Sequence, residues 1–312
     1  MPLLRDDVLV RANGDRVAFS EYGKASGEPV IFCHGWPSSR VMAELVDEAA
    51  CELRVRIISP DRPGVGGSSF VHGRTLLEWP PLVHELADAL RIEQFRVLAI
   101  SGGAPYAYAM GWAMSERVRA IAVVSGAPHI AELEDRTGLL ALYRWLLSAH
   151  AKLPPPWARL GFRAARPFLS LRPPRRSRAW LLNLLQPCDA DSLRDERAFE
   201  ACFESQRRAW ETSADGVLAD AEVHARPWGF SLRDVRVPVR LWHGDSDRSF
   251  SAALAEATAA QLPNCKLRIV RTAGHYSTPI QHMREILEDL MRVEDSRPGC
   301  LGRQASRLSE RP

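Results

Sequence analysis

The sequence predicts an α/β protein: a mostly parallel central sheet flanked by helices, with a helical cap inserted between its two halves. Three observations predict it. Short, continuous apolar runs such as Pro29-Val30-Ile31-Phe32-Cys33 and Val118 to Val124 alternate with helix-spaced segments. Such runs are the mark of strands buried on both faces and joined by right-handed helical crossovers. The alternation stops from about His129 to Trp228, where no sheet strand is legible, and resumes at Val237. Finally, the run Phe95-Arg96-Val97-Leu98-Ala99-Ile100 leads directly into Ser101-Gly102-Gly103-Ala104. That order reads as strand, abrupt turn and helix with one serine at the apex, a place only small flanking residues permit.

Composition narrows the class. A chain of 312 residues can bury a sizeable core. Its 46% hydrophobic and 25% charged residues are those of an ordinary globular protein. A net charge of +3 does not call for a nucleic-acid partner. No apolar run approaches the roughly 20 residues of a membrane span, and the first residues lack a secretory apolar segment. The six cysteines (Cys33, Cys51, Cys188, Cys202, Cys265, Cys300) show no C-x-x-C spacing. Reduced thiols and a cytoplasmic location are the expectation.

In chain order, Val8 to Val10 and Arg16 to Tyr22 alternate around Asn13-Gly14-Asp15, a hairpin signal. Pro29 to Cys33 is the first buried strand, ending in His34-Gly35-Trp36-Pro37, and a helix is expected from about Val41 to Leu53. Arg54 to Ser59 is the next strand, followed by the loop Asp61-Arg62-Pro63-Gly64-Val65-Gly66-Gly67-Ser68. Leu82 to Leu90 has helical spacing, and the Ser101 strand and Val118 to Val124 follow. Within the interruption, Leu139 to Leu147, Ala179 to Leu185 and Ala198 to Trp210 read as helices, with Pro154-Pro155-Pro156 and Pro173-Pro174 as punctuation. Strand, helix, strand, helix then close the chain at Val237 to His243, Ala252 to Leu262, Lys266 to Val270 and Met283 to Met291.

The expected organisation is a core of residues 1–128 and 229–293, a cap of residues 129–228, and a disordered polar tail of residues 294–312. The competing reading of 129–228 is a separate helical domain without a part in catalysis. The basic run Arg172 to Arg178 reads as a solvated cap loop balanced by nearby acids, since no aromatic ladder accompanies it. The cap's Trp145, Trp157, Trp180, Leu181, Leu184 and Trp210 give it either its own core or an apolar pocket wall.

A serine hydroxyl becomes a nucleophile when a base takes its proton and a third group orients the base. The strand ends after Ser101 offer two sets of partners. His243-Gly244-Asp245-Ser246-Asp247 follows one strand, and Gly274-His275 follows the last. Position alone leaves Asp245 and Asp247 both open as the acid. As a cation loop, this pair lacks further oxygen ligands at continuing spacing. The glycines of the 61–68 loop lack the Gly-Lys-Ser/Thr of a nucleotide-binding loop.

Ala99-Ile100-Ser101-Gly102-Gly103 resembles the G-x-S-x-G nucleophile elbow of the α/β-hydrolase superfamily, with alanine in place of the first glycine. His34-Gly35-Trp36-Pro37 resembles the family's H-G-x-P segment, and the 61–68 loop its D-R-P-G-x-G-x-S. The strand end His243 to Asp247 resembles H-G-x-x-D. With Gly274-His275, five motifs stand in the family's order, and the cap exit Ala225 to Phe230, followed by Val237 to Asp247, is similar to capped bacterial-type hydrolases.

The resemblance implies an α/β-hydrolase fold and a cofactor-free serine hydrolase acting on an ester, lactone or related acyl bond. It implies Ser101 as nucleophile, His275 as base and Asp247 as its orienting acid. The backbone N–H groups of Trp36 and Gly102 are implied as the oxyanion hole. A serine at the elbow disfavours the dehalogenase and epoxide hydrolase chemistry of relatives that use aspartate there. C–C bond hydrolysis or acyl transfer with the same residues, and ligand binding without catalysis, are the alternatives. The expected partner is a small, apolar acyl substrate.

Overall fold

Asn13-Gly14 turns the chain between β1 (Arg5–Val10) and β2 (Arg16–Gly23), with Gly14 at a φ of 86° that favours glycine. These are the first strands of an eight-stranded sheet that continues with β3 (Glu28–Cys33), β4 (Val55–Pro60), β5 (Phe95–Ile100), β6 (Val118–Val124), β7 (Val239–Gly244) and β8 (Cys265–Val270). Their spatial order is β1-β2-β4-β3-β5-β6-β7-β8. β2 runs antiparallel to both neighbours, and every other pair is parallel. The computed structural model describes residues 3–152, 154–172 and 180–293.

The continuous apolar runs are strands because both faces of the sheet are covered. Along β5, Val97 and Ala99 enter one core, and Leu98 and Ile100 enter the core on the opposite face. The first core is closed by α2 (Trp79–Ala89), α3 (Ala104–Ala113) and α9 (Ala252–Gln261). The second is closed by α1 (Asp47–Glu52) and α10 (Ser277–Met291). The helix expected over residues 41–53 is instead a 3-10 segment, Arg40–Leu45, followed by the short α1.

Between β6 and β7 the chain makes α4 (Ala141–Lys152), α5 (Pro155–Leu169), α6 (Pro187–Ser192), α7 (Glu196–Thr212) and α8 (Ala214–Ala225). α5 starts within the Pro154-Pro155-Pro156 run that reads as a break. Proline is at home in the first helical turn, where its missing N–H costs no hydrogen bond. α8 approaches the 61–68 loop so closely that a Cβ on Gly216 would lie 1.7 Å from the Gly64 carbonyl oxygen. Of the six apolar residues considered for a cap core or pocket, Trp145, Trp157, Trp180 and Leu184 are more than 60% exposed. They form neither. Trp210 is buried and stacks on Phe162. Arg172 reaches Glu204 at 3.2 Å, and the rest of the basic run, Ala179, Cys300 and the 294–312 tail lie outside the described residues.

Candidate active site

Ser101 stands between β5 and α3 with a φ of +53°, a left-handed backbone rare for a side-chain-bearing residue. Neighbouring glycines allow the tight turn. A Cβ on Gly103 would lie 2.0 Å from the Cys33 carbonyl oxygen, so α3 can pack against the end of β3 only if this residue has no side chain. Ala99, in place of a glycine, is wholly buried in the sheet core.

The Ser101 hydroxyl lies 2.9 Å from His275 Nε2, and His275 Nδ1 lies 2.8 Å from Asp247 Oδ2. The carboxylate can only accept, so Nδ1 carries the proton, and the Nε2 lone pair faces the hydroxyl. Asp247 Oδ1 accepts from the backbone N–H of Ser249 at 2.7 Å and of Phe250 at 3.1 Å. Burial would raise the Asp247 pKa, but the imidazole of His275 and these donors hold it below the ordinary carboxylate value. Burial likewise opposes a charged His275, and Asp247 outweighs it, so its pKa is raised.

Asp245 points away. It is exposed, and its Oδ1 accepts from the Thr272 backbone N–H at 2.8 Å, tying the acid loop to the histidine loop. His243 donates from Nε2 to the Phe250 carbonyl at 2.8 Å and is kept neutral by burial. Ser125 also has a positive φ and is fully buried, but its hydroxyl has no partner among the described residues.

The Trp36 backbone lies against Gly102: a Cβ on Gly102 would sit 2.9 Å from the Trp36 nitrogen. Arg62, wholly buried, holds the loop that carries Trp36 by donating to the carbonyls of His34 at 2.5 Å and Gly35 at 2.6 Å. It also forks onto Asp220 of α8 at 2.7 to 3.0 Å. Arg74 and the Tyr106 hydroxyl complete the cluster on that carboxylate.

Several residues at the site are not singled out by the sequence. Phe250 packs edge-on against His275, Tyr143 stacks on Phe250, and Trp36 lies beside Tyr143. His224 of α8 brings Nε2 within 3.3 Å of the Gly102 Cβ position; burial lowers its pKa to about 4, leaving it neutral. Asp189 of α6 accepts hydrogen bonds from the histidine loop. Their residue types are common, and only long-range packing assembles them here. Asp220 carries no motif signal, though its partner Arg62 lies in a recognisable loop.

Comparisons with known proteins agree with this architecture. Residues 30–289 match the model of the alpha/beta hydrolase family. The chain is 26% identical over 274 residues to an uncharacterized hydrolase, YcgS, of Bacillus subtilis, covering 84% of this chain and 89% of that protein. It is 26% identical over 292 residues to a pimeloyl-[acyl-carrier protein] methyl ester esterase of Aromatoleum aromaticum, covering 84% and 98%. A bromoperoxidase structure from Bacillus anthracis superposes with a TM-score of 0.70 at 19% identity, covering 92% of this chain and 100% of that one. The fold, the matched span and these relatives agree: the chain belongs to the alpha/beta hydrolase family and is a hydrolytic enzyme.

Proposed function

We propose that the protein is a capped serine hydrolase that cleaves an ester, lactone or related acyl bond through an acyl-enzyme. One observation carries the reading: the continuous relay in which Ser101 Oγ is 2.9 Å from His275 Nε2 and His275 Nδ1 is 2.8 Å from Asp247. Ser101 attacks the carbonyl carbon, and its proton passes to His275 Nε2. Asp247 stabilises the imidazolium that forms. The N–H groups of Gly102 and Trp36 receive the developing oxyanion, supported by the Trp36 backbone lying against Gly102 and by the Arg62 clamp on residues 34 and 35. His275 then returns the proton to the leaving group, and water, activated by the same imidazole, releases the acid.

The inserted helices of 129–228 act as the cap, and the surrounding Trp36, Tyr143 and Phe250 favour an apolar acyl or alcohol group. The methyl ester esterase relative points to the same bond class. Free thiols at Cys33, Cys51, Cys188, Cys202 and Cys265 fit a reducing, cytoplasmic setting.

A panel of p-nitrophenyl esters of varied acyl length tests the reading, with a competing alcohol added to separate hydrolysis from acyl transfer. Turnover that disappears in Ser101→Ala, with free acid as product, is expected. Saturable ester binding without turnover in the wild type contradicts catalysis. Ester product in place of acid contradicts hydrolysis.

A further inference from the structure

Asp189 belongs to the inserted helices, yet its carboxylate is spent on the loop that carries His275. The residue is buried on α6. Its Oδ2 accepts from the backbone N–H of His275 at 3.1 Å. Its Oδ1 accepts from the N–H of Tyr276 at 2.9 Å, the N–H of Ser277 at 2.8 Å and the Ser277 hydroxyl at 3.0 Å. Four donors on three successive residues therefore converge on one carboxylate. They include N–H groups at the start of α10 that have no partner within the helix. Gly274 makes the approach possible: a Cβ there would lie 2.6 Å from both Asp189 oxygens. The Gly-His pair thus has a physical reason, since only glycine lets this acid reach the loop.

On the reading of His275 as general base, we propose that Asp189 is a positioning residue for it, a clamp from the inserted helices that fixes the histidine loop and stabilises the imidazolium. The residue does not touch substrate. It sets the direction of the His275 ring through the backbone and adds a second negative charge behind it. Asp247 faces the ring from the end of β7, and Asp189 faces the loop from α6. His243, also at the end of β7, is neutral. Tyr143 of α4, pushed up to about 12 by burial, and Tyr276, whose pKa burial also raises, are neutral as well. The field at His275 from these neighbours is therefore that of two carboxylates, and both raise its pKa against burial. Loss of either charge must lower it.

The loop and the cap are coupled by this arrangement. α6 cannot leave its seat on α10 without releasing the N–H groups of residues 275–277, so displacement of the inserted helices disarms the base.

The test is an NMR titration of the His275 imidazole in the full-length protein, assigned by its loss in His275→Gln, alongside kcat, KM and thermal unfolding. Asp189→Asn replaces an accepting oxygen by an amide that opposes an N–H. Its His275 pKa is expected to fall by about half a unit or more, the scale of losing one nearby charge. The acid limb of kcat/KM should move down with it. Misplacement of the ring should lower kcat by roughly 10- to 100-fold with KM nearly unchanged. Gly274→Ala, which pushes the carboxylate away from the other side, should reproduce the fall if Asp189→Asn does not fold. Asp191→Asn, on the same helix and paired among the described residues with the exposed Arg194, should leave the titration in place. A folded Asp189→Asn with unchanged His275 pKa and kcat overturns the proposal. The titration needs no substrate. A downward shift in a protein inactive on every ester would keep Asp189's hold on His275 while contradicting the hydrolase reading.

Discussion

At the scale of single residues, two aspartates two positions apart have opposite fates. Asp247 is buried against His275, and Asp245 faces solvent and braces Thr272. Asp247→Asn should lower kcat by about 10⁴-fold, because an amide at Nδ1 favours the wrong tautomer. Asp245→Asn should cost no more than about tenfold, the scale of one modest hydrogen bond. Measuring kcat for both, with circular dichroism to establish folding, checks the pair; a severe loss confined to Asp245→Asn would reverse the assignment. On the proposed mechanism the same relay sets a pH dependence. His275 must be neutral to accept the proton, and its pKa is raised above the ordinary value of 6.5. kcat/KM should therefore be low in acid and rise with pH through a midpoint above about 6.5. A midpoint well below 6, with chemistry rate-limiting, would contradict the geometry. That Ser101 and His275 meet is legible in the sequence because each sits at a strand end, whereas the choice of Asp247 over Asp245 rests on the resemblance to H-G-x-x-D, since position alone leaves both open. Asp189 and His224 were not, since their approach to the site depends on how α6 and α8 seat.

At the scale of elements, the inserted helices are tied to the core by charge as well as by apolar contact. Arg62 of the 61–68 loop and Arg74 both pair with Asp220 of α8, and all three side chains are buried. Burial alone would raise the Asp220 pKa, yet the two guanidinium groups hold it far below the carboxylate range. Removing the acid strands two buried cations. Asp220→Ala should therefore lose about 3–5 kcal/mol of stability, read from the urea midpoint. The sign with pH follows from a depressed folded pKa. The contribution is complete above the unfolded value, about 3.9, and is lost as pH falls below it. The deficit of Asp220→Ala should be constant at neutral pH and shrink only in strong acid. A variant as stable as wild type at pH 7 would mean that the cluster is neutral to stability. Of the helices of this region, α4 and α7 are legible in the sequence as Leu139 to Leu147 and Ala198 to Trp210, and α5 and α8 are not. Pro154-Pro155-Pro156 reads as a stop but opens α5, and α8 carries little amphipathic periodicity because both of its sides are covered.

At the scale of the whole molecule, the sheet was legible because β3, β5 and β6 are nearly continuous apolar runs of strand length, and crossovers of this kind allow few topologies. No helix among the described residues is long and apolar enough to cross a membrane. The topology gathers the ends of β3, β5, β7 and β8 at one edge of the sheet, and with them Trp36, Ser101, Asp247 and His275. Residues 174 positions apart thereby come within one hydrogen bond. Ser125 is the internal control: a second serine in the left-handed region at the end of β6, without a histidine partner among the described residues. On the proposed mechanism Ser101 alone is the activated nucleophile. Intact-mass measurement after treatment with a fluorophosphonate tests it most directly. One adduct on the wild type and none on Ser101→Ala is the expected result, and an adduct that persists on Ser101→Ala, at Ser125 or elsewhere, would contradict it.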